Sequence, residues 1–287
     1  MPHDWMDGTP PDTDTMPELI LRTNGACQLD IEHLLQVVGD QRERFATVLK
    51  GFGPQDWAVA TRCPAWSAHQ VVRHLCDLAT AGIAMGPGDR RLDSSTGFDP
   101  RIAPSRWMAA SDGESPDATR DRYTAITCEL LGVARDRLAQ DRRFAVMMPY
   151  GPMDWTVLWL HGFWDSWIHE RDVLLARGAE HPTDDDATAY AVAYGVFISA
   201  TVASMFGAPV HETLTLSGEG GGIIEVDSSD GITLSLHRTS AAGPRAAEVA
   251  DTLAGRTQTT AVLDDLPADS RDALMAMADF FRTPVEP

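Results

Sequence analysis

The chain has 287 residues, 44% of them hydrophobic, with a formal net charge of −19 and a pI of about 4.7. That apolar content excludes wholesale disorder, and the length calls for one large domain or two ordinary ones. The acidic balance repels a phosphate backbone, so no nucleic-acid partner is expected.

Residues 1–26, rich in Asp, Pro, Thr and Gly, read as an acidic flexible leader. Its start, Met1-Pro2-His3-Asp4-Trp5-Met6-Asp7, has neither the basic residues nor the apolar run of a secretion signal. A first helix is expected from about Asp30 to Lys50, with Ile31, Leu34, Leu35, Val38, Phe45, Val48 and Leu49 at helical spacing. A second begins after Trp66, where Ser67 and Gln70 form a capping box, and continues to about Met85. Residues 86–116 carry many Gly, Pro, Asp and Ser and read as a long connection of the kind that often forms lids or binding loops. Further helices follow from about Asp117 to Gln140 and from about Asp154 to Arg177, the latter closed by Gly178. Four such helices in series suggest an antiparallel bundle over residues 27–182.

Residues 183–287 read as a linking helix, about Asp184 to Met205, and a small α+β domain. Three aspartates, Asp184, Asp185 and Asp186, favour the positive end of the linking helix. After Gly207 and Pro209 the period changes to two in Thr213–Leu216, Ile223–Val226 and Ile232–Leu236, the pattern of strands. A helix over about Arg245–Ala254, a short strand near Thr260–Val262 and a terminal helix through Met275 and Phe280 complete an α+β chain. No apolar stretch approaches the roughly 18 residues of a membrane span, so no membrane partner is expected. Cys27, Cys63, Cys76 and Cys128 include no CxxC pair and suit a reducing cytoplasm, the expected location.

The chemistry centres on three residues. Asp165 and His169, four apart in a helical segment, leave one face about one turn apart, and His74 lies on a second helix. Two imidazoles and a carboxylate suit a borderline divalent ion such as Zn²⁺, with one position left for water or substrate. The plainer reading is a core His–Asp hydrogen bond within one helix, since buried polar groups are usually satisfied structurally. His161 extends the series as His161-x-x-x-Asp165-x-x-x-His169, but successive turns rise about 5.4 Å, too far for three ligands on one straight helix. It is an alternative ligand, a group supporting one, or a surface histidine. His69 lies about 140° around the helix from His74, so these two do not pair.

Among the other residues, Cys63 before Pro64 reads as a packing residue rather than a reactive thiol. Arg101, Arg106, Arg120 and Arg122 can bind carboxylates, though arginines of this kind are ordinarily on the surface. Gly218-Glu219-Gly220-Gly221-Gly222 joins two strands and is not a phosphate loop. Arg256 is placed to close the site from the second domain.

The run Trp57 to Ser67, with Thr61-Arg62-Cys63-Pro64-Ala65-Trp66-Ser67 at its end, is followed by Val71-Val72-Arg73-His74-Leu75. Together they resemble the N-terminal signature of the mycothiol-dependent maleylpyruvate isomerase family, of the DinB-like metal-binding four-helix bundles. The second signature of that family is similar to Asp165-Ser166-Trp167-Ile168-His169-Glu170-Arg171-Asp172-Val173. The resemblance implies that His74, Asp165 and His169 are metal ligands, with Asp165 standing where the family has a glutamate. Asp172 would support the site, because ligand imidazoles need an orienting partner. The C-terminal part is similar in layout to the small sterol-carrier-like α/β domain of that family. Also implied are a divalent metal, mycothiol as co-substrate, and a small unsaturated electrophile, in a monomer or homodimer. The expected activity is isomerisation or S-transfer. A thiol-independent metalloenzyme performing isomerisation, cyclisation or hydrolysis, and a non-catalytic metal- or ligand-binding protein, are the competing readings.

Overall fold

Four long helices surround one interior because each carries an apolar stripe that has to be covered. In the computed structural model, which describes residues 18–64, 66–140, 144–182, 184–257 and 260–282, these are α1 (Ile31–Lys50), α3 (Ala68–Ala84), α5 (Pro116–Ala139) and α6 (Trp155–Ala176). Helices α1 and α3 each pack on both α5 and α6, which sets their order around the bundle. Their ends follow the sequence closely. Asp30, Ser67, Ser115 and Asp154 each cap a helix through their side chains, and at Ser67 the box with Gln70 is complete. Helix α6 ends at Gly178, whose φ of 71° is a left-handed turn costly for any other residue. There the amides of Gly178 and Ala179 return to the carbonyls of Leu175 and Leu174.

Helix α7 (Asp185–Met205) connects the bundle to a four-stranded antiparallel sheet. Three strands lie where period two places them: β4 (His211–Leu216), β5 (Gly222–Asp227) and β6 (Thr233–His237). Helices α8 (Ala246–Leu253) and α9 (Ala268–Arg282) pack on α7. Length and composition alone would let α7 cross a membrane, contrary to the expectation that no such stretch exists. Its residues are instead buried against α6, α8, α9 and the sheet, as in the core helix of a folded domain.

Four features differ from the sequence reading. The leader was expected to extend to residue 26, but Leu19–Arg22 is a strand, β1, paired antiparallel with β6 at the edge of the distant sheet. Leu19 and Leu21 point into the core while Ile20 and Arg22 stay half-buried, so four residues carry a full two-residue alternation. Residues 1–17 of the leader lie outside the described residues. The long connection of 86–116 holds a 3₁₀ turn, Ser94–Thr96, and helix α4 (Ala103–Ala110). A short helix α2 (Pro54–Ala58) and the hairpin β2 (Ala145–Met148) with β3 (Gly151–Asp154) were not foreseen. The strand expected near Thr260–Val262 is a 3₁₀ turn over Ala261–Leu263.

One apolar cluster runs without a break from α1 and α6 through α7 to the sheet, α8 and α9. A second, with Phe45, Leu49, Trp57, Val72 and Tyr123, fills one end of the bundle. The two parts of the chain therefore share a core rather than touching at a polar seam. Leu21 is 0% exposed in β1, so Leu21→Ala is expected to cost about 2–5 kcal/mol in urea unfolding. A strand that contributed nothing would cost about 0.5 kcal/mol or less.

Candidate metal centre

The capping box at Ser67 starts α3 so that His74 falls two turns in, on the face toward α6. Helix α6 is buried on almost every side, and Asp165 and His169 leave it one turn apart. The three side chains meet: one ligand-type atom from each lies within 4.8 Å of the others. His74 Nε2 is 3.0 Å from Asp165 Oδ2, and His169 Nε2 is 3.6 Å from Asp165 Oδ1. Each carboxylate oxygen therefore faces a different imidazole. Burial raises the Asp165 pKa, yet the adjacent His74 and His169 hold its carboxyl well below the usual carboxylate range.

Trp66, just before the cap, lies tilted against both rings at 40°, its centroid 4.8 Å from His74 and 5.7 Å from His169. His169 has a firm orienting partner: its Nδ1 is 3.0 Å from Asp172 Oδ2. Asp172 is fully buried and accepts from Arg256 Nε through both oxygens, at 3.0 and 2.9 Å. Burial pushes its pKa up, but the His169 hydrogen bond and the Arg256 charge leave it lowered overall. Arg62 reaches Asp251 of α8 at 2.8 Å and lies 3.8 Å from Asp172. Arg171 takes the same Asp251 at 2.7 Å. His74 has no equivalent partner, for its Nδ1 is buried and unbonded among the described residues.

The structure separates His161 from this cluster. Its Nδ1 bonds the Tyr194 hydroxyl at 3.0 Å, and Tyr194 in turn meets Tyr150 at 3.1 Å. Burial lowers its pKa, which favours the neutral ring. His69 turns to Thr119 at 2.8 Å, as its position around the helix requires. Arg101 pairs with Asp99, Arg120 with Asp117 and Asp121, and Arg122 with Asp77 and Glu114; Arg106 is exposed. Arg256 does come from the second part of the chain, but it acts on Asp172 rather than on the three donors. Cys63 sits half-buried in the turn beside Arg62. The role of Trp66 as a cover was not read from the sequence, although its place in the signature marks it. Nor was the buried Glu170, which accepts from Gln41 and Arg44 of α1, each at 2.9 Å.

A helix bundle that sets a histidine of one helix against an aspartate and a histidine of another has the architecture of the DinB-like bundles. Residues 38–174 match the family model described as the mycothiol maleylpyruvate isomerase N-terminal domain. The resemblance carried by the two signatures is thereby shown. The chain is also similar to the crystal structure of a histidine-to-alanine mutant of the mycothiol-dependent maleylpyruvate isomerase, with a TM-score of 0.53 and 14% identity. That likeness covers 80% of this chain and 90% of the other, so the shared fold extends past the bundle into the α+β part. No curated protein matches the chain.

Because Asp172 is buried, removing its main cationic partner leaves an uncompensated charge. Arg256→Ala is expected to cost about 3 kcal/mol in urea unfolding, and Asp172→Asn/Arg256→Ala together clearly less than the two single changes added. Strict additivity would mean that the pair does not work as a unit.

Proposed function

We propose that this chain is a divalent-metal enzyme that uses a low-molecular-weight thiol, mycothiol in the first instance, on a small unsaturated electrophile in the cytoplasm. The observation that carries this reading is the convergence of His74, Asp165 and His169 within the segment that matches the isomerase family. Their chemistry fits a borderline ion, Zn²⁺ being the best suited. The widest donor separation, 4.8 Å, slightly exceeds two bonds of about 2.1 Å placed end to end, so small side-chain rotations would bring all three into range. An ion held there supplies a Lewis acid that keeps a bound thiol as thiolate near neutral pH.

The chain's own residues provide the rest. Asp172 accepts the Nδ1 proton of His169 and so presents the Nε2 lone pair toward Asp165 and His74. Arg256 fixes Asp172 in turn, and Trp66 packs over the imidazoles and limits water around them. In the isomerisation, the thiol sulfur adds to one carbon of the substrate double bond and a proton goes to the other. The resulting single bond rotates. Loss of the same proton and of the sulfur then restores the double bond in the trans form. If the new carbon–sulfur bond is kept, the product is an S-conjugate.

Protein purified without chelators should carry about one equivalent of divalent metal by elemental analysis, and His74→Ala should carry almost none. Asp172→Asn is expected to lower metal affinity about 10–100-fold. Turnover of a cis-unsaturated keto acid should require added mycothiol. Full turnover in thiol-free, metal-loaded protein would favour a thiol-independent metalloenzyme, and metal-free parent protein would sink the reading altogether.

A further inference from the structure

Arg42 is an isolated cation inside the bundle. It is 3% exposed, its Nε donates to Thr127 Oγ1 at 3.1 Å, and its guanidinium lies 4.8 Å over the Tyr123 ring. Among the described residues its Nη2 has no hydrogen-bond partner and is sealed from solvent. No carboxylate among them stands within ion-pair distance of it. The contrast with its neighbours is sharp: Arg44 meets Glu170 at 2.9 Å and Arg171 meets Asp251 at 2.7 Å. A guanidinium cannot shed its proton to escape burial, and an unpaired buried charge is costly. Such a group calls for an anion.

Arg42 also lines a cavity of about 40 Å³ between α1, α3, α5 and α6. A single water needs roughly 10–15 Å³ on this measure, so there is room for a small organic group. The walls are mainly apolar, with Leu75, Leu78, Leu130, Leu158 and Phe163 among them. Trp159 lines the same space, and its indole N–H is likewise buried without a partner. A hydrated phosphate suits such walls poorly, whereas a carboxylate on a short hydrocarbon chain matches both parts. The planar fork of the guanidinium takes the two carboxylate oxygens, and the leucines take the chain.

We propose that this cavity is a binding site for a small monocarboxylate with a short apolar chain, its carboxylate held by Arg42. None of the three donor residues lines the cavity, so the inference goes beyond the metal reading and stands whether or not a cation binds. Gly82 supplies an independent handle. It lines the cavity on α3, and nothing lies within 4 Å of where a Cβ would sit. Gly82→Leu should therefore fill the space without strain and with better helix propensity.

Calorimetric titration of the purified full chain with butyrate tests the site, with butyramide and inorganic phosphate as comparison ligands. Saturable one-to-one butyrate binding is expected in the parent. Arg42→Gln should weaken it about tenfold or more, as loss of a charged hydrogen bond does. Gly82→Leu should abolish it while keeping the parent's circular dichroism and thermal midpoint. His74→Ala should bind butyrate like the parent, which separates this site from the donor cluster. Lack of saturable butyrate heat in the parent, or parent-like binding by Gly82→Leu, would overturn the proposal. So would phosphate binding as tight as butyrate, or loss of butyrate binding in His74→Ala.

Discussion

Helix α6 cannot bury its charged residues unpaired, and that constraint organises the molecule. Asp165, His169, Glu170, Arg171 and Asp172 occupy a helix whose surface is almost wholly covered. His169 pairs with Asp172 on the same helix, and each of the others finds a partner on another element. Asp165 meets His74 of α3; Glu170 meets Gln41 and Arg44 of α1; Arg171 meets Asp251 of α8. Asp172 takes Arg256, just beyond α8. Buried ion pairs add little net stability compared with apolar packing, but breaking one is expensive. Here they fix which helix stands beside which, while the continuous apolar core supplies the driving force.

The same pairs explain how the α+β part reaches the donor cluster without contributing a donor. Asp251 is shared by Arg171 and Arg62, and Arg62 sits in the turn that leads to Trp66. Trp66 in turn covers His74 and His169. Arg256 orients His169 through Asp172 by a second route. Displacing α8 would thus disturb both the cover and the imidazole. Strand β1 anchors the beginning of the described residues to the far sheet, so Leu19–Arg22 are part of this clasp.

Long helices were legible because their signals are local: apolar spacing for α1, a capping box for α3, a terminal glycine for α6. The convergence of His74, Asp165 and His169 was legible for a similar reason, since two lie one turn apart and the third sits in a recognisable signature. What escaped the sequence was long-range or short. The four residues of β1 form a strand only because β6, more than two hundred positions away, offers an edge. Helix α4 and the β2–β3 hairpin are too brief to show a period among glycines and prolines. Thr260–Val262 has β-branched residues, yet Ala261–Leu263 settles as a 3₁₀ turn. The partner of each buried charge was also hidden, because pairing depends on packing. Arg256 could be expected to close the site from the second domain, but that it does so through Asp172, and that Arg62 pairs with Asp251, shows only once the packing is known.

The aspartate at 165, where the family resemblance has a longer acid, makes sense in this arrangement. Asp165 and His169 ride on one rigid helix, and Asp172 with Arg256 locks the second of them, so their spacing is set by the backbone of α6. A shorter acid therefore leaves any adjustment to the opposite helix. His74 is suited to make it: its Nδ1 has no hydrogen-bond partner among the described residues, and its ring rests at a tilt against Trp66, a contact that resists sliding less than a hydrogen bond does. Two donors form a fixed half of the site and the third an adjustable half. His74 Nε2 already stands closer to the carboxylate, at 3.0 Å, than His169 Nε2 does at 3.6 Å. Tightening the three donors around one cation would then fall mainly to the α3 side chain, with α6 as the frame against which it moves.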